Sequence, residues 1–236
     1  DVLPAFRSLE DHFMGASDHH GTGGGWRVEA PRLSWKILDA VAETATQMGI
    51  RRTGDFNTGD NEGVGYFHVN QRRGRRWSSA RGFLKPVLAR QNLRVETKVL
   101  VDKLITQGNK TVGVRFTQGG QSIEARAKGE VVLCAGSIGS TQILHRSGIG
   151  PHDWLAPLGI ETLLDRQGVG KNLQDHLQQR AIYKVEGIKT LNETYHSLIG
   201  RALMGLDYAV RRRGPLTMAP SQLGIFTRSS AGHERA

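Results

Sequence analysis

Gly136 and Ser137 follow an apolar run, Val131–Cys134, and precede a helical pattern carrying Ile138, Ile143 and Leu144. A strand, a turn of small residues and a helix start bring backbone N–H groups to a helix N-terminus, where a phosphate can sit. The same turn also occurs with nothing bound, so by itself it does not decide. Two other glycine-rich stretches fail as phosphate loops. In Gly21-Thr22-Gly23-Gly24-Gly25-Trp26, Trp26 stands in the last glycine's place of a G-x-G-x-x-G fingerprint, and no strand precedes it. Gly170-Lys171-Asn172 resembles the end of a P-loop, but Asp165 and Asn172 replace the first glycine and the Ser/Thr. His19-His20 and Asp175-His176 could ligate a metal on residue type alone. Adjacent ligands without a third and fourth partner at recognisable spacing are a poor zinc pattern, so no metal site is expected. Ser147-Gly148 lacks the flanking glycines of a nucleophile elbow. A single cysteine, Cys134, excludes an internal disulfide framework and any multi-thiolate zinc site.

The elements that must position these residues are legible in outline. The chain has 236 residues, enough for one large domain or two small ones. Its 30 glycines are well above the roughly 7% of an average domain, which calls for many turns and close approaches. Residues 1–13 read as a short helix, Gly15–Pro31 as a loop, and Ser34–Met48 as a helix capped by Ser34 and ended by Gly49. Ser78–Arg90 reads as a helix weakened by Pro86. The middle is β: Leu93–Val95, Val99–Ile105, Val112–Phe116, Ser122–Ala127 and Val131–Cys134, with hairpin-length connections. The last of these is a continuous apolar run, the mark of a strand buried on both faces. A helix is expected over Thr194–Val210, broken by Gly214-Pro215. The boundaries drawn are 1–92, a mixed helical and loop segment; 93–180, a β-meander and strand–turn–helix; and 181–236.

A formal net charge of +10 raises the question of a polyanion partner. The arginines cluster at Arg72, Arg73, Arg75, Arg76 and at Arg211–Arg213, but Trp77 is the sole aromatic beside either group. No zinc-finger spacing, RNP-like pattern or basic heptad accompanies them. The nucleic-acid reading is therefore the weaker one, and helix capping or surface placement the simpler role. No run approaches the 18 or so apolar residues of a membrane span, and DVLPAFRSLEDHF has no signal-peptide core. A cytoplasmic location is expected, with peripheral attachment to a membrane as the alternative.

The stretch from Gly136 to Gly150, GSIGSTQILHRSGIG, closely resembles the second signature of the glucose–methanol–choline (GMC) oxidoreductases, departing from it at Thr141. PHDWLAPLGI and GVGKNLQDHL downstream are similar to the family's continuation, the latter to choline dehydrogenases and their alcohol-dehydrogenase relatives. RRGRRWSSARGFLKP, NLRVETKVLVDKLI and GEVVLCAGSIGSTQIL upstream follow the family's order. The resemblance implies an α/β (α+β) fold: part of an FAD-binding, Rossmann-like domain with its β-meander over residues 93–180, and the start of a substrate-binding domain over 181–236. It implies FAD as cofactor and a small-molecule alcohol as substrate, choline or another primary alcohol. It further implies that Val99 sets backbone groups against the adenine edge, that Ala135 and Gly136 pass close to the cofactor, and that Ser137 opens the helix facing it. Asn172, Asp175 and His176 would support the flavin region.

The family's G-x-G-x-x-G turn and its catalytic histidine have no counterpart in this sequence. None of the nine histidines, the last being His233, sits in the catalytic context. The chain is therefore expected to be an internal fragment of a larger flavoenzyme, inactive and weak in FAD binding by itself, with marginal stability and no catalytic residue of its own. The alternative is a non-catalytic basic module that binds nucleic acid or a protein partner.

Overall fold

Apolar side chains at three- and four-residue spacing and short β-branched runs separated by glycines set the element order in the computed structural model, which describes residues 2–230 and 232; His233 lies outside them. In chain order the elements are α1 (Leu3–Leu9), β1 (Glu10–His12), β2 (Trp26–Val28), α2 (Lys36–Gln47), β3 (Gly63–Tyr66), β4 (Gln71–Arg72), β5 (Arg75–Arg76), β6 (Val99–Gln107), β7 (Lys110–Gln118), β8 (Gln121–Arg126), α3 (Gly136–Arg146), β9 (Ile149–Gly150), α4 (His152–Leu155), β10 (Leu164–Asp165), α5 (Leu191–His196), α6 (Leu198–Arg211) and β11 (Leu223–Phe226). They fall into two compact units, Asp1–Leu93 with Tyr183–Ala236, and Arg94–Ile182.

In the first unit α2 turns Ala42 and Ala45 onto Val64 of β3, with Ile50 and Leu223 packed around them. Gly49, at φ +90°, ends the helix, since a left-handed residue after the last turn costs glycine least. Trp35, not Ser34, precedes the helix; its ring N–H donates to Gln222 and its backbone N–H to the Tyr66 hydroxyl. β11 pairs antiparallel with β3, joining the two sequence-distant parts of the unit. β1 and β2 pair in parallel, so a strand lies inside what reads as the Gly15–Pro31 loop.

Two expected helices differ. Ser78–Arg90 is not an α-helix but a π-helical turn, Ala80–Leu84, followed by a 3-10 turn, Lys85–Val87. Pro86 lacks the N–H that would bond Gly82 and its ring crowds that carbonyl. The expected 194–210 helix is two helices: Ser197 takes an extended conformation, and its side chain accepts from the Gly200 N–H to start α6. α5 is capped independently, by Thr190 and Glu193 in a reciprocal box. The apolar residues Leu198, Ile199, Leu203, Leu206 and Val210 of α6 are exposed, and within this helix only Gly200 and Met204 are buried.

In the second unit β6, β7 and β8 form a three-stranded antiparallel meander in that order. Gly113 in β7 must lack a side chain, because a Cβ would lie 2.2 Å from the Ala125 carbonyl oxygen. α3 docks on β6 through the Ser147 hydroxyl, which accepts from the Leu104 N–H at 2.8 Å, and through Arg146–Asp102 at 2.9 Å. Leu104, Ile143 and Leu155 are the buried apolar residues of this unit. Leu93–Val95 and Val131–Cys134 are not strands. Val132 is 71% exposed, so that run is not buried on either face. A β-branched apolar stretch needs a neighbouring ladder to become a strand, and none of the described strands lies beside it. The described chain thus mixes helix and strand, with no helix long and apolar enough to cross a membrane.

Candidate functional site

The turn singled out in sequence opens onto a groove of the second unit. Gly136 adopts φ +78°, a conformation that glycine enters without the penalty other residues meet, and a Cβ there would have open space around it. α3 begins at this residue with no side-chain cap on its first N–H groups. Those donors have no partner within the helix and carry its positive dipole end. The Ala135 N–H is used locally, donating to the Ser140 hydroxyl at 3.1 Å. Thr141, the departure from the signature, donates its hydroxyl to the Ser137 carbonyl at 2.7 Å.

The groove has a volume of about 950 Å³ and is lined on one side by Leu133, Cys134, Gly136, Ser137, Ser140 and Thr141. The segment 168–174 forms its other wall. His145, near the end of α3, holds that wall. Its Nε2 lies 3.2 Å from the Val169 carbonyl oxygen, and its ring stands edge-on to Trp154 at 6.1 Å. The ring occupies the space that side chains at Gly150 and Gly170 would need, with Cβ distances of 2.6 and 2.9 Å. The Lys171 ammonium rests over Trp154 at 5.4 Å. Of the expected residues, Gly136 and Ser137 face the groove; Ala135 precedes it in the chain without lining it. Val99 is not among the lining residues and begins β6, an edge strand paired only with β7. Asn172 lies in the far wall; Asp175 and His176 are exposed beyond it.

The first unit holds two features that sequence reading left separate. The arginine groups meet: Arg72, Arg73 and Arg75 of the β4–β5 hairpin and Arg212 line one basic cavity with Trp77, Arg81 and Lys85. Arg72 stacks on Trp77 at 5.1 Å. The second feature is a buried cluster of Glu10, His12, His20, Asp55 and His68. His20 bridges two carboxylates, Nδ1 to Glu10 Oε2 at 2.9 Å and Nε2 to Asp55 Oδ2 at 2.7 Å. Burial opposes charge on His20, but the bonds to Glu10 and Asp55 outweigh it and raise its pKa. His12 stacks on His20 with centroids 3.9 Å apart, and burial followed by that neighbour's charge lowers its pKa. His68 is lowered chiefly by burial. Only His20 drew notice in the sequence; the others are scattered over 58 positions with no shared period, and no local signal marks them.

Comparison with known proteins follows the groove's sequence. A family described as GMC oxidoreductase matches residues 2–178. The chain is 42% identical over 185 residues to the oxygen-dependent choline dehydrogenase of Pectobacterium atrosepticum, covering 78% of this chain and 33% of that protein. It is 37% identical over 233 residues to the mitochondrial choline dehydrogenase of Homo sapiens, covering 98% of this chain and 39% of that one. Among solved structures it is similar to pyridoxine 4-oxidase from Mesorbium loti, with 36% identity and a TM-score of 0.66 over 70% of this chain and 32% of the other. The chain thus spans about a third to two fifths of these relatives. None of the likenesses supports the basic-module alternative. The chain belongs to the GMC oxidoreductase family.

Proposed function

We propose that the chain supplies part of the cofactor-binding region and part of the substrate-binding region of an FAD-dependent oxidoreductase acting on the CH–OH group of an alcohol. The observation that carries this reading is the left-handed turn at Gly136, which opens α3 onto a groove walled by the glycine-bearing segment 168–174. The residues present fit such a group. About 950 Å³ lies within the range of cofactor sites, and the walls at Gly136, Ser137, Ser140, Gly168 and Gly170 are small. FAD, when bound, supplies the acceptor for the hydride leaving the alcohol carbon.

The chain's own residues bind and orient. The uncapped N–H groups at the start of α3 offer donors and a positive dipole end to an anionic part of the ligand. Gly136 and Ala135 let the backbone approach closely. Val99, on an edge strand, offers backbone groups to a heteroaromatic edge. Leu133, Ile138 and Leu173 present apolar surface to the ligand. No catalytic acid or base is assigned to this chain.

In this reading 93–180 is the flavin-binding part, completed into a Rossmann-like arrangement by the rest of the enzyme. Residues 1–92 link the two parts, and 181–236 begin the substrate domain. The substrate class is a small primary alcohol, choline-like, as in the names of the two dehydrogenase relatives. A cytoplasmic location is the accompanying proposal, with peripheral membrane attachment as its alternative; cell fractionation with a salt wash separates the two. The direct test is the flavin spectrum of the complete enzyme under anaerobic conditions. Choline or another primary alcohol should bleach the long-wavelength flavin absorbance. A protein that takes up no FAD, or whose bound FAD no alcohol reduces, would overturn the reading.

A further inference from the structure

The buried cluster of the first unit has the donor set and spacing of a metal centre. His12 closes β1, His68 follows β3 by two residues, and Asp55 sits in the loop between α2 and β3. His12 Nε2 and His68 Nδ1 are 3.3 Å apart, and His68 Nδ1 is 3.9 Å from Asp55 Oδ1. All three ligand atoms lie within 4.8 Å of one another. A tetrahedral ion with bonds of about 2.0–2.1 Å holds its ligand atoms roughly 3.3–3.4 Å apart, and the two sides at 3.3 and 3.9 Å approach that spacing.

The facing ring nitrogens point the same way. The facing ring nitrogens of His12 and His68 need one shared proton if nothing lies between them, whereas a cation would take both lone pairs at once. His12 Nδ1 is buried without a hydrogen-bond partner, and His12 itself is 2% exposed. This nitrogen is not the one paired with His68, so the ligand role falls to Nε2 alone.

The surrounding contacts are those that orient ligands. Asp55 Oδ2 accepts from His20, Oδ1 accepts from the Asn57 N–H at 2.9 Å, and Glu10 fixes the far side of His20. Such partners set ring orientation and ligand basicity in metal sites. His12 and His68 also line a cavity of about 520 Å³ with Phe6, Phe83 and Asn57.

We propose that His12, His68 and Asp55 bind one borderline divalent transition-metal ion, zinc foremost, with a fourth position open to this cavity. Two imidazoles and one carboxylate suit zinc and its neighbours, and are too few and too nitrogen-rich for calcium or magnesium.

The test uses the full chain, stripped with a chelator and titrated with Co²⁺ as an optical stand-in for zinc. One Co²⁺ per chain should give visible d–d bands of low coordination number, and one equivalent of Zn²⁺ should abolish them. His68→Gln and Asp55→Asn should each weaken Co²⁺ binding more than about 100-fold. Glu10→Gln, one contact further out, should weaken it roughly 10-fold, the low end for an outer-shell partner. His152→Ala, in the other unit, should leave it unchanged. Absent bands, or unit binding that survives His68→Gln, overturns the proposal. If a ligand variant fails to fold, imidazole 15N spectra of the unaltered chain decide. Zinc must shift the ring signals of His12 and His68, and shifts confined to other histidines overturn the site equally.

Discussion

Replacing Gly170 by alanine tests how the far wall of the groove is held. The native backbone there has φ +86°, and a Cβ would lie 2.9 Å from His145 Cε1, 3.2 Å from Nε2 and 3.3 Å from Thr141 Cγ2. The left-handed conformation costs a non-glycine residue about 1–2 kcal/mol. The ring cannot simply swing aside, because Val169 and Trp154 hold it, so displacement adds roughly 1 kcal/mol, the low end for an overpacked site. The expected loss is therefore roughly 2–3 kcal/mol, or about 4–12 °C in Tm for a chain of this size. Gly168, two residues earlier, has a φ outside the positive range and nothing within 4 Å of a built Cβ. Gly168→Ala should change stability by no more than about 0.5 kcal/mol. Urea unfolding followed by circular dichroism measures both, and a double-mutant cycle isolates the ring. In a His145→Ala background, Gly170→Ala should cost only the backbone part, about 1–2 kcal/mol. Equal effects at 168 and 170, or no coupling to His145, would refute the reasoning.

Gly136→Ala meets no clash, so its cost in the apo chain should be the backbone penalty alone, about 1–2 kcal/mol by urea unfolding, with Gly136→Asn less affected. Tyr66→Phe removes the acceptor for the Trp35 N–H at 3.2 Å and the donor to Asp39 at 2.7 Å, and should cost about 1–3 kcal/mol. Burial, and after it the Asp39 carboxylate, raise the Tyr66 pKa above 10.0 against the opposing Trp35 contact. The unfolded phenol ionises first, so the stability contributed by Tyr66 is complete below the unfolded value and lost as pH rises through the folded one. Tyr66→Phe should flatten that alkaline decline; an unchanged pH profile would contradict it. Thr190→Ala dismantles the capping box of α5 and should cost about 0.5–2 kcal/mol, read as faster amide exchange at Glu193, while Thr190→Ser should keep protection near the native level.

The segments that could be read in advance are those whose information is local. The meander followed from alternating runs separated by Gly108 and Gly119-Gly120, all three at positive φ in the structure. α2 followed from its three- and four-residue spacing and Gly49, and the turn at Gly136 from small residues between an apolar run and a helical pattern. The misreadings share a cause. Val131–Cys134 has the composition of a buried strand, but strand formation depends on a neighbour that local composition does not specify. The 194–210 periodicity is continuous across Ser197, yet that residue's side chain serves Gly200 better as a cap than as part of a single helix. Pro86 changed the hydrogen-bonding step of the preceding turn, an outcome that depends on how Gly82 sits against Gly25 as well as on proline.

The amino-acid sequence by itself determined the family, through one contiguous stretch from Gly136 to Gly150 that departs from the signature at Thr141 alone. It also determined the glycines that a left-handed turn requires. Only the tertiary structure decided which distant residues meet. It placed His145 between Gly150 and Gly170, joined the arginines at 72–75 to Arg212, and gathered Glu10, His12, His20, Asp55 and His68 into one buried cluster. Backbone conformation depends on neighbours along the chain and leaves a pattern there. Coordination and ion pairing depend on distance in space, and loops of irregular length bring their partners together without leaving any period to read.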